Sequence, residues 1–353
     1  GDPNVLTYGV GFDLLRLVTL PANLSAANGA RDAARGQATA ELLSVAAQAR
    51  RAWIDAAQAR QTADLMAQTA ETANAAAAAA DALLAAGNIA QVERDREALF
   101  AAEISIANAQ AQAALVPARE QLITALALRP EQAVLLTELE RLPAPPDAPI
   151  AAEDLENRVI GASTDLAVAM GALQAARADQ SISWLTSLLP AIELEGERER
   201  DDGAWKDGLG LAWMAPLFDL GGAERLRRAS AERRAVALLE ALDLELRAEA
   251  RTRLAQAETA RAIAITRRTV ILPLSAEVFD GAVRDFNAME IGILQLLQER
   301  RARLEAGRAA IAATADYWRA QAALDLLLAG ARSTEHAPPN APAAGAPAHD
   351  PGH

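Results

Sequence analysis

The side chains best suited to chemistry are few, and most are badly placed for it. The 353-residue chain holds no Cys, so it has no disulfide, thiol nucleophile or Cys-based metal site. Its three His, His336, His349 and His353, fall in a Pro-, Ala- and Gly-rich tail that reads as disordered. A weak metal-binding role is open to them, but no structural metal site is expected. No nucleophile–base pair, Gly-rich phosphate loop or carboxylate dyad stands out, so neither an enzyme nor a bound cofactor is expected. The most regularly spaced carboxylates are Glu193, Glu195 and Glu197, which alternate with Ile192, Leu194 and Gly196. Period two is the mark of a half-buried antiparallel strand, apolar on one face and wet on the other. After a polar turn, RERDDGAWKD (198–207), Leu209, Leu211, Trp213, Ala215 and Leu217 share one face, with Gly208, Gly210, Ala212 and Met214 on the other. Near the start, Tyr8, Val10, Phe12 and Leu14 alternate with Thr7, Gly9, Gly11 and Asp13.

Such strands admit two readings. One is a small hairpin capping a helical bundle. The other is a membrane β-barrel assembled from several chains, because an apolar face of about ten residues can cross a bilayer when tilted. An isolated hairpin cannot stand in lipid with unpaired edges, which is why several chains would be needed. On the second reading Tyr8, Val10, Phe12, Ile192, Leu194, Leu209, Leu211 and Trp213 face lipid, and the alternating Glu residues face a water-filled lumen. The helices around the strands, and a duplication, favour the barrel.

Those helices dominate the chain. From Ser25 to about Ala86 there is no Pro, which predicts a rod of roughly 60 residues and about 90 Å. A turn at Ala86-Gly87-Asn88 leads to a helix from about Ala90 to Leu128, ended by Arg129-Pro130. LPAPPDAP (142–149) reads as a rigid linker. A helix follows from about Glu153 to Leu185. After the strands comes a long helix from Ala223, a turn near Asn287–Gly292, and a return helix to Leu328 closed by Gly330. Leu239, Leu242, Leu246, Ala250, Leu254 and Ala257 form a coiled-coil-like seam. Helices of this length pack lengthwise, within the chain or between chains.

Composition agrees. Hydrophobic residues are 52% of the chain but aromatics only 3%, which suits close helix contact through small side chains. A net charge of −13 argues against a nucleic-acid partner. The Arg residues, interleaved with Asp and Glu, read as solvated faces carrying i,i+4 pairs. No run qualifies as a transmembrane helix; the most apolar, 73–90, is rich in Ala and carries Asp81, Asn74 and Asn88. The opening Gly1-Asp2-Pro3-Asn4 is a turn sequence with no signal peptide, which implies upstream residues removed or missing.

The plan repeats. AQARRAWIDAAQAR (47–60) is similar to AEARTRLAQAETAR (248–261), YGVGF (8–12) to DGLGL (207–211), and NIAQVERDREAL (88–99) to EIGILQLLQERR (290–301). Three matches in order, at nearly one shift, indicate an internal duplication of about 200 residues.

As a whole the chain resembles the TolC family of outer-membrane efflux proteins. GLGLAWMAPLFDLGGAERLRRASAE (208–232) resembles the family's strand-to-helix entry. ILPLSAEVFDGAVRDFNAMEIGILQLLQERRARL (271–304) resembles its second helical hairpin, and AATADYWRAQAALDLLLAG (312–330) its closing segment. LLAAGNIAQVERDREAL (83–99) resembles the first-repeat turn, and ALRPEQ with LPAPPDAP the equatorial passage.

The resemblance implies a mainly α fold with a small β part. Very long helices form a trimeric α-helical barrel, and strands contribute to a shared transmembrane β-barrel. The segments would be an outer-membrane strand (1–22, an incomplete first hairpin) and a periplasmic helical hairpin (23–133). A Pro-rich linker (134–152) and an ascending helix (153–189) follow, then an outer-membrane hairpin (190–219), a second helical hairpin (220–331) and a tail (332–353). Family members give four strands per chain, so a fuller precursor is expected, with a signal sequence and an N-terminal lipidated Cys as an option.

The function implied is a passive exit duct of a tripartite efflux or type I secretion system in the Gram-negative outer membrane. Its partners would be two further copies, a periplasmic adaptor, an inner-membrane transporter of the resistance-nodulation-division or ABC type, and outer-membrane lipid. Carried over, the family's pore constriction falls on Gln295 and Gln298, one helical turn apart. Gln can narrow a pore but lacks the charge to hold a divalent cation. Glu299, Glu93 and Asp95 are nearby sources of charge. The turn residues Gly87, Asn88, Ile89, Glu290, Ile291 and Gly292 would meet the adaptor; Gly87 suits a positive φ, whereas Met289 at the equivalent place should make the turns unequal. A periplasmic coiled-coil adaptor or scaffold that never enters the membrane is the alternative.

Overall fold

The structure, a computed structural model, describes residues 6–133, 140–188, 192–201, 204–213 and 222–332. The expected tail with its three His, the opening turn, and the stretch from Met214 through the Pro-Leu-Phe-Asp sequence lie outside the described residues, as does 134–139 of the linker. The described chain divides into two units. One comprises residues 1–40 and 162–247, the other 41–161 and 248–353.

Ala, Leu, Arg and Glu, all good helix formers, make up most of the sequence, and helices follow. In order the elements are β1 (Leu6–Asp13), α1 (Leu14–Ala85), α2 (Gln91–Ala125), the single turn α3 (Pro130–Ala133), α4 (Leu155–Ala162), α5 (Thr164–Leu188), β2 (Ile192–Asp201), β3 (Ala204–Trp213), α6 (Gly222–Thr266), α7 (Leu272–Asn287) and α8 (Ile293–Leu328). A five-residue π-helical turn, Arg267–Ile271, joins α6 to α7.

Four expectations are corrected. α1 begins at Leu14 and runs through Pro21, so residues 14–22, read as part of a strand segment, are helical. Pro21 forfeits one backbone bond, and the helix is long enough to absorb the loss. The helix expected from Glu153 to Leu185 is two helices. The hydroxyl of buried Ser163 accepts the backbone N–H of Leu166 at 3.1 Å, a helix N-cap that restarts the chain as α5. The polar stretch 198–207 is mostly strand, because β2 continues to Asp201 and β3 starts at Ala204. Finally, the long helix from 222 to 287 carries the π-helical turn. Pro273 has no N–H to donate, and the Leu272 N–H reaches five residues back to the Arg267 carbonyl.

In the first unit, β1, β2 and β3 form an antiparallel sheet in that order. Its helices meet through small residues: a methyl group added to Gly29 on α1 would come within 3.7 Å of the Gly171 carbonyl on α5. Arg177 of α5 pairs with Glu232 of α6 at 3.2 Å.

The second unit holds most of the buried side chains. Met66, Ala70 and Ala73 of α1 pack with Phe100, Ala101 and Ile104 of α2 and with Ile293 and Leu297 of α8. Elsewhere Ile54 and Ala57 meet Leu142, Ala315 and Ala322, and Tyr317 sits against Ala264 and Ala313. Small side chains dominate these contacts, as the composition predicts. The seam read on α6 is buried or half-buried at Leu239, Leu242, Leu246, Ala250, Leu254 and Ala257. The charges do more than decorate single helices. Arg319 of α8 pairs with Asp55 of α1 at 2.6 Å, Asp325 of α8 with Arg50 of α1 at 2.6 Å, and Arg301 of α8 with Glu103 of α2 at 2.7 Å. Buried Glu97 of α2 takes Arg300 of α8 at 3.3 Å, and Arg300 also lies over the Phe100 ring.

Candidate functional site

Two hairpin turns of the second unit carry the expected docking residues. α1 ends with the Gly87 N–H bonded to the Leu84 carbonyl and the Asn88 N–H to the Leu83 carbonyl, both at 2.9 Å. This is a Schellman closure, and it places Gly87 at φ 76°. α7 ends the same way: Met289 N–H bonds Phe286, Glu290 N–H bonds Asp285, and Met289 stands at φ 63°. The two turns therefore share one backbone, against the expectation that Met289 makes them unequal. Met289 accepts a left-handed conformation that costs an L-residue about 1–2 kcal/mol, and it is 93% exposed. The repeat extends to the ends of the return helices, where Ala127 (φ 50°) and Gly330 (φ 98°) close α2 and α8 with the same bonds.

Both turns lie at one end of the second unit. Phe286 and Ile293, which flank the second turn, pack into the cluster holding Ala73, Ala77 and Phe100 beside the first. Just beyond the second turn, Gln295 and Gln298 are exposed on a face opposite buried Ile293 and Leu297. Glu299 is half-buried. The first-repeat carboxylates are engaged locally. Glu93 accepts the Ala90 N–H at 3.0 Å and so caps α2, and Asp95 pairs with Arg94 at 2.8 Å. Arg94 also reaches back across the turn to Asp81 at 2.6 Å; bonds to Asp81 first and Asp95 second raise its pKa. No local pattern marks that clasp beyond the bare presence of the charges.

The strand register sorts residues into rows. Phe12, Leu194 and Leu211 form one row, Val10, Gly196 and Leu209 the next, and Ile192 pairs with Trp213. Tyr8, Arg198 and Asp207 follow, so the apolar rows give way to charge. Between them Glu195 lies between Gly11 and Gly210, and Glu197 between Gly9 and Gly208. Opposite charges occupy paired register positions at Arg198–Asp207 and Glu199–Lys206, within the polar stretch that continues the ladder. The side chains of these strands are outside the described residues.

The Pro-rich linker is the feature that sequence reading undervalued. Leu142 is buried against Ile54 and Ala315, and the Trp318 indole N–H donates to the Pro143 carbonyl at 2.8 Å. Arg261 of α6 donates to the carbonyls of Pro146 (3.3 Å) and Asp147 (2.8 Å). The Ile150 N–H donates to Glu258. That bond is the chief cause holding the Glu258 carboxyl below its ordinary pKa; burial opposes it, and Arg261 adds to the lowering. Tyr317, beside Trp318 with ring centroids 4.9 Å apart, has its phenol pushed up by burial.

No protein-family model and no curated protein sequence matches the chain. Solved structures do. A membrane protein from Pseudomonas aeruginosa superposes with a TM-score of 0.78 at 18% identity, over 94% of this chain and 82% of that one. The outer membrane protein VceC from Vibrio cholerae gives 0.76 at 16%, over 93% and 79%. The Neisseria gonorrhoeae MtrE outer membrane channel in its open state gives 0.74 at 18%, over 94% and 81%. The fold is that of a TolC-like outer-membrane channel. Among the described residues no single helix is long and apolar enough to cross a membrane.

Proposed function

We propose that the chain is the outer-membrane exit duct of a tripartite efflux or type I secretion system in a Gram-negative bacterium. It acts as a passive conduit opened from its periplasmic end. The observation that carries this reading is the superposition on outer-membrane channels over more than nine-tenths of the chain. Three copies would join, their strands closing a common β-barrel in the outer membrane and their helices a tunnel in the periplasm. The register supports the barrel: apolar rows at Phe12–Leu194–Leu211 and Val10–Gly196–Leu209 suit lipid, and Glu195 and Glu197 between glycines suit a wet lumen. Exposed apolar residues support self-association. Val92, Leu99 and Ile106 stand at heptad spacing on α2, and Ile263, Val270, Leu274 and Val278 run along α6, the π-helical turn and α7. Two unlike seams on one chain make a heterologous contact, the kind that closes rings.

On this reading Gln295 and Gln298 narrow the tunnel. The tips at Gly87–Ile89 and Glu290–Gly292 receive the helical hairpins of a periplasmic adaptor, which couples the duct to an inner-membrane transporter. The test is the mass of the protein extracted from membranes in mild detergent, with the detergent contribution subtracted. Three chains, each contributing at least 37.1 kDa, in a particle that resists carbonate washing, support the duct. A monomer released without detergent would instead support a periplasmic scaffold.

A further inference from the structure

A cleft of about 390 Å³ opens in the second unit where the linker, α1, the π-helical turn and α8 converge. Its walls are of two kinds. Leu65, Leu142 and Leu272 make an apolar floor, and Gly307 keeps that floor tight, since a methyl group there would come within 3.3 Å of the Leu65 side chain. Arg141 from the linker and Arg268 from the π-helical turn line the same cleft. In a chain whose arginines are so often paired, neither of these two makes an ion pair or hydrogen bond among the described residues. Two uncharged polar groups complete the lining: Thr314, whose hydroxyl already donates to the Ala310 carbonyl at 2.9 Å, and Gln61 of α1. The Gln61 side-chain nitrogen is buried and has no acceptor. A buried donor left without a partner is costly, and natural structures rarely keep one without a reason.

One kind of molecule answers all three features. An oxyanion accepts from guanidinium groups in charge-assisted bonds, offsets two like charges that share a cleft, and gives the Gln61 amide its missing acceptor. The apolar floor calls for an apolar body behind that head. The volume falls in the range of small-molecule sites. We propose that this cleft binds a small organic carboxylate, with the carboxylate on Arg141, Arg268 and Gln61 and its apolar body on the leucine floor. A bound ligand would tie the linker to the π-helical turn and to α1. The proposal stands on the second unit alone and is independent of the channel reading.

The experiment is calorimetric titration of the full chain in non-ionic detergent with benzoate, with benzyl alcohol of the same shape but no charge, and with inorganic phosphate. Benzoate is expected to bind more than tenfold tighter than either control. R141Q and R268Q should each weaken it about tenfold, the loss of one charge-assisted bond. Q61L should weaken benzoate several-fold while raising the urea midpoint of the ligand-free protein, because it removes the orphaned donor. That opposite movement of binding and stability separates a site from a merely structural glutamine. Equal binding of benzyl alcohol, equal binding of phosphate, or benzoate affinity unchanged in both arginine variants would each overturn the proposal, as would no heat with benzoate at about 10 mM.

Discussion

The indole of Trp318 and the carbonyl of Pro143, 175 residues apart in sequence, are joined by a 2.8 Å hydrogen bond. It fastens a segment without helix or strand to α8, beside buried Tyr317. Replacing Trp318 with Phe keeps a ring in place and removes the donor. A loss of about 1 kcal/mol is expected from the urea midpoint, together with faster proteolysis within 142–150. An unchanged cleavage rate would show that the packing of Leu142 alone holds the linker.

Glu258 should make that fastening sensitive to acid. Its pKa is lower in the folded chain than the ordinary 4.5, so it contributes stability that is fully present above the unfolded value. The contribution is lost as pH falls through the folded pKa. Glu258→Gln should therefore be less stable than the natural chain at neutral pH, and the gap should narrow below about pH 4.5. A gap that stays constant from pH 7 to pH 3 would sink the assignment.

Met289 pays for its left-handed backbone, and Gly87 does not. Met289→Gly is expected to stabilise the second hairpin by about 1 kcal/mol, and Gly87→Ala to destabilise the first by a similar amount. Urea midpoints of the two variants should move in opposite directions.

The Glu97–Arg300 pair is the most buried of the helix-to-helix ion pairs between α2 and α8. Arg300→Met strands a buried carboxylate and should cost about 3 kcal/mol. Combining it with Glu97→Gln should recover most of the loss. A double-mutant cycle with no coupling between the two positions would mean that Arg300 acts through the Phe100 ring instead.

Gln295→Ala with Gln298→Ala should raise the conductance of the closed pore in planar bilayers. If it stays at the natural value, these two residues do not form the constriction.

Much of the helical architecture is legible in the sequence because Gly87, Pro130 and Gly330 punctuate otherwise unbroken helical pattern, and a shift of about 200 residues repeats it. The misses share a cause. Pro21 looks like a stop, yet a long helix can carry one missing bond. Ser163 looks like any polar residue, because a cap is defined by a backbone turn that only the fold reveals. Arg301 and Arg319 each have an acidic neighbour at helical spacing, Glu305 and Asp316, so periodicity alone could not tell pairing along one helix from pairing across two. The clefts and straps of the linker depend on contacts between residues more than 100 positions apart, such as Ile150 with Glu258, to which local pattern is blind. At the candidate site, Gln295 and Gln298 came from resemblance, and their exposure came from knowing which face of α8 the core uses.

The ladder of charges along α8 works as a vernier. Glu97–Arg300, Glu103–Arg301, Asp55–Arg319 and Arg50–Asp325 are all in register at once, and sliding α8 by one turn, about 5.4 Å, would misalign every one of them together. Within this unit a lengthwise shift of α8 is therefore opposed at four points at once, against both α1 and α2.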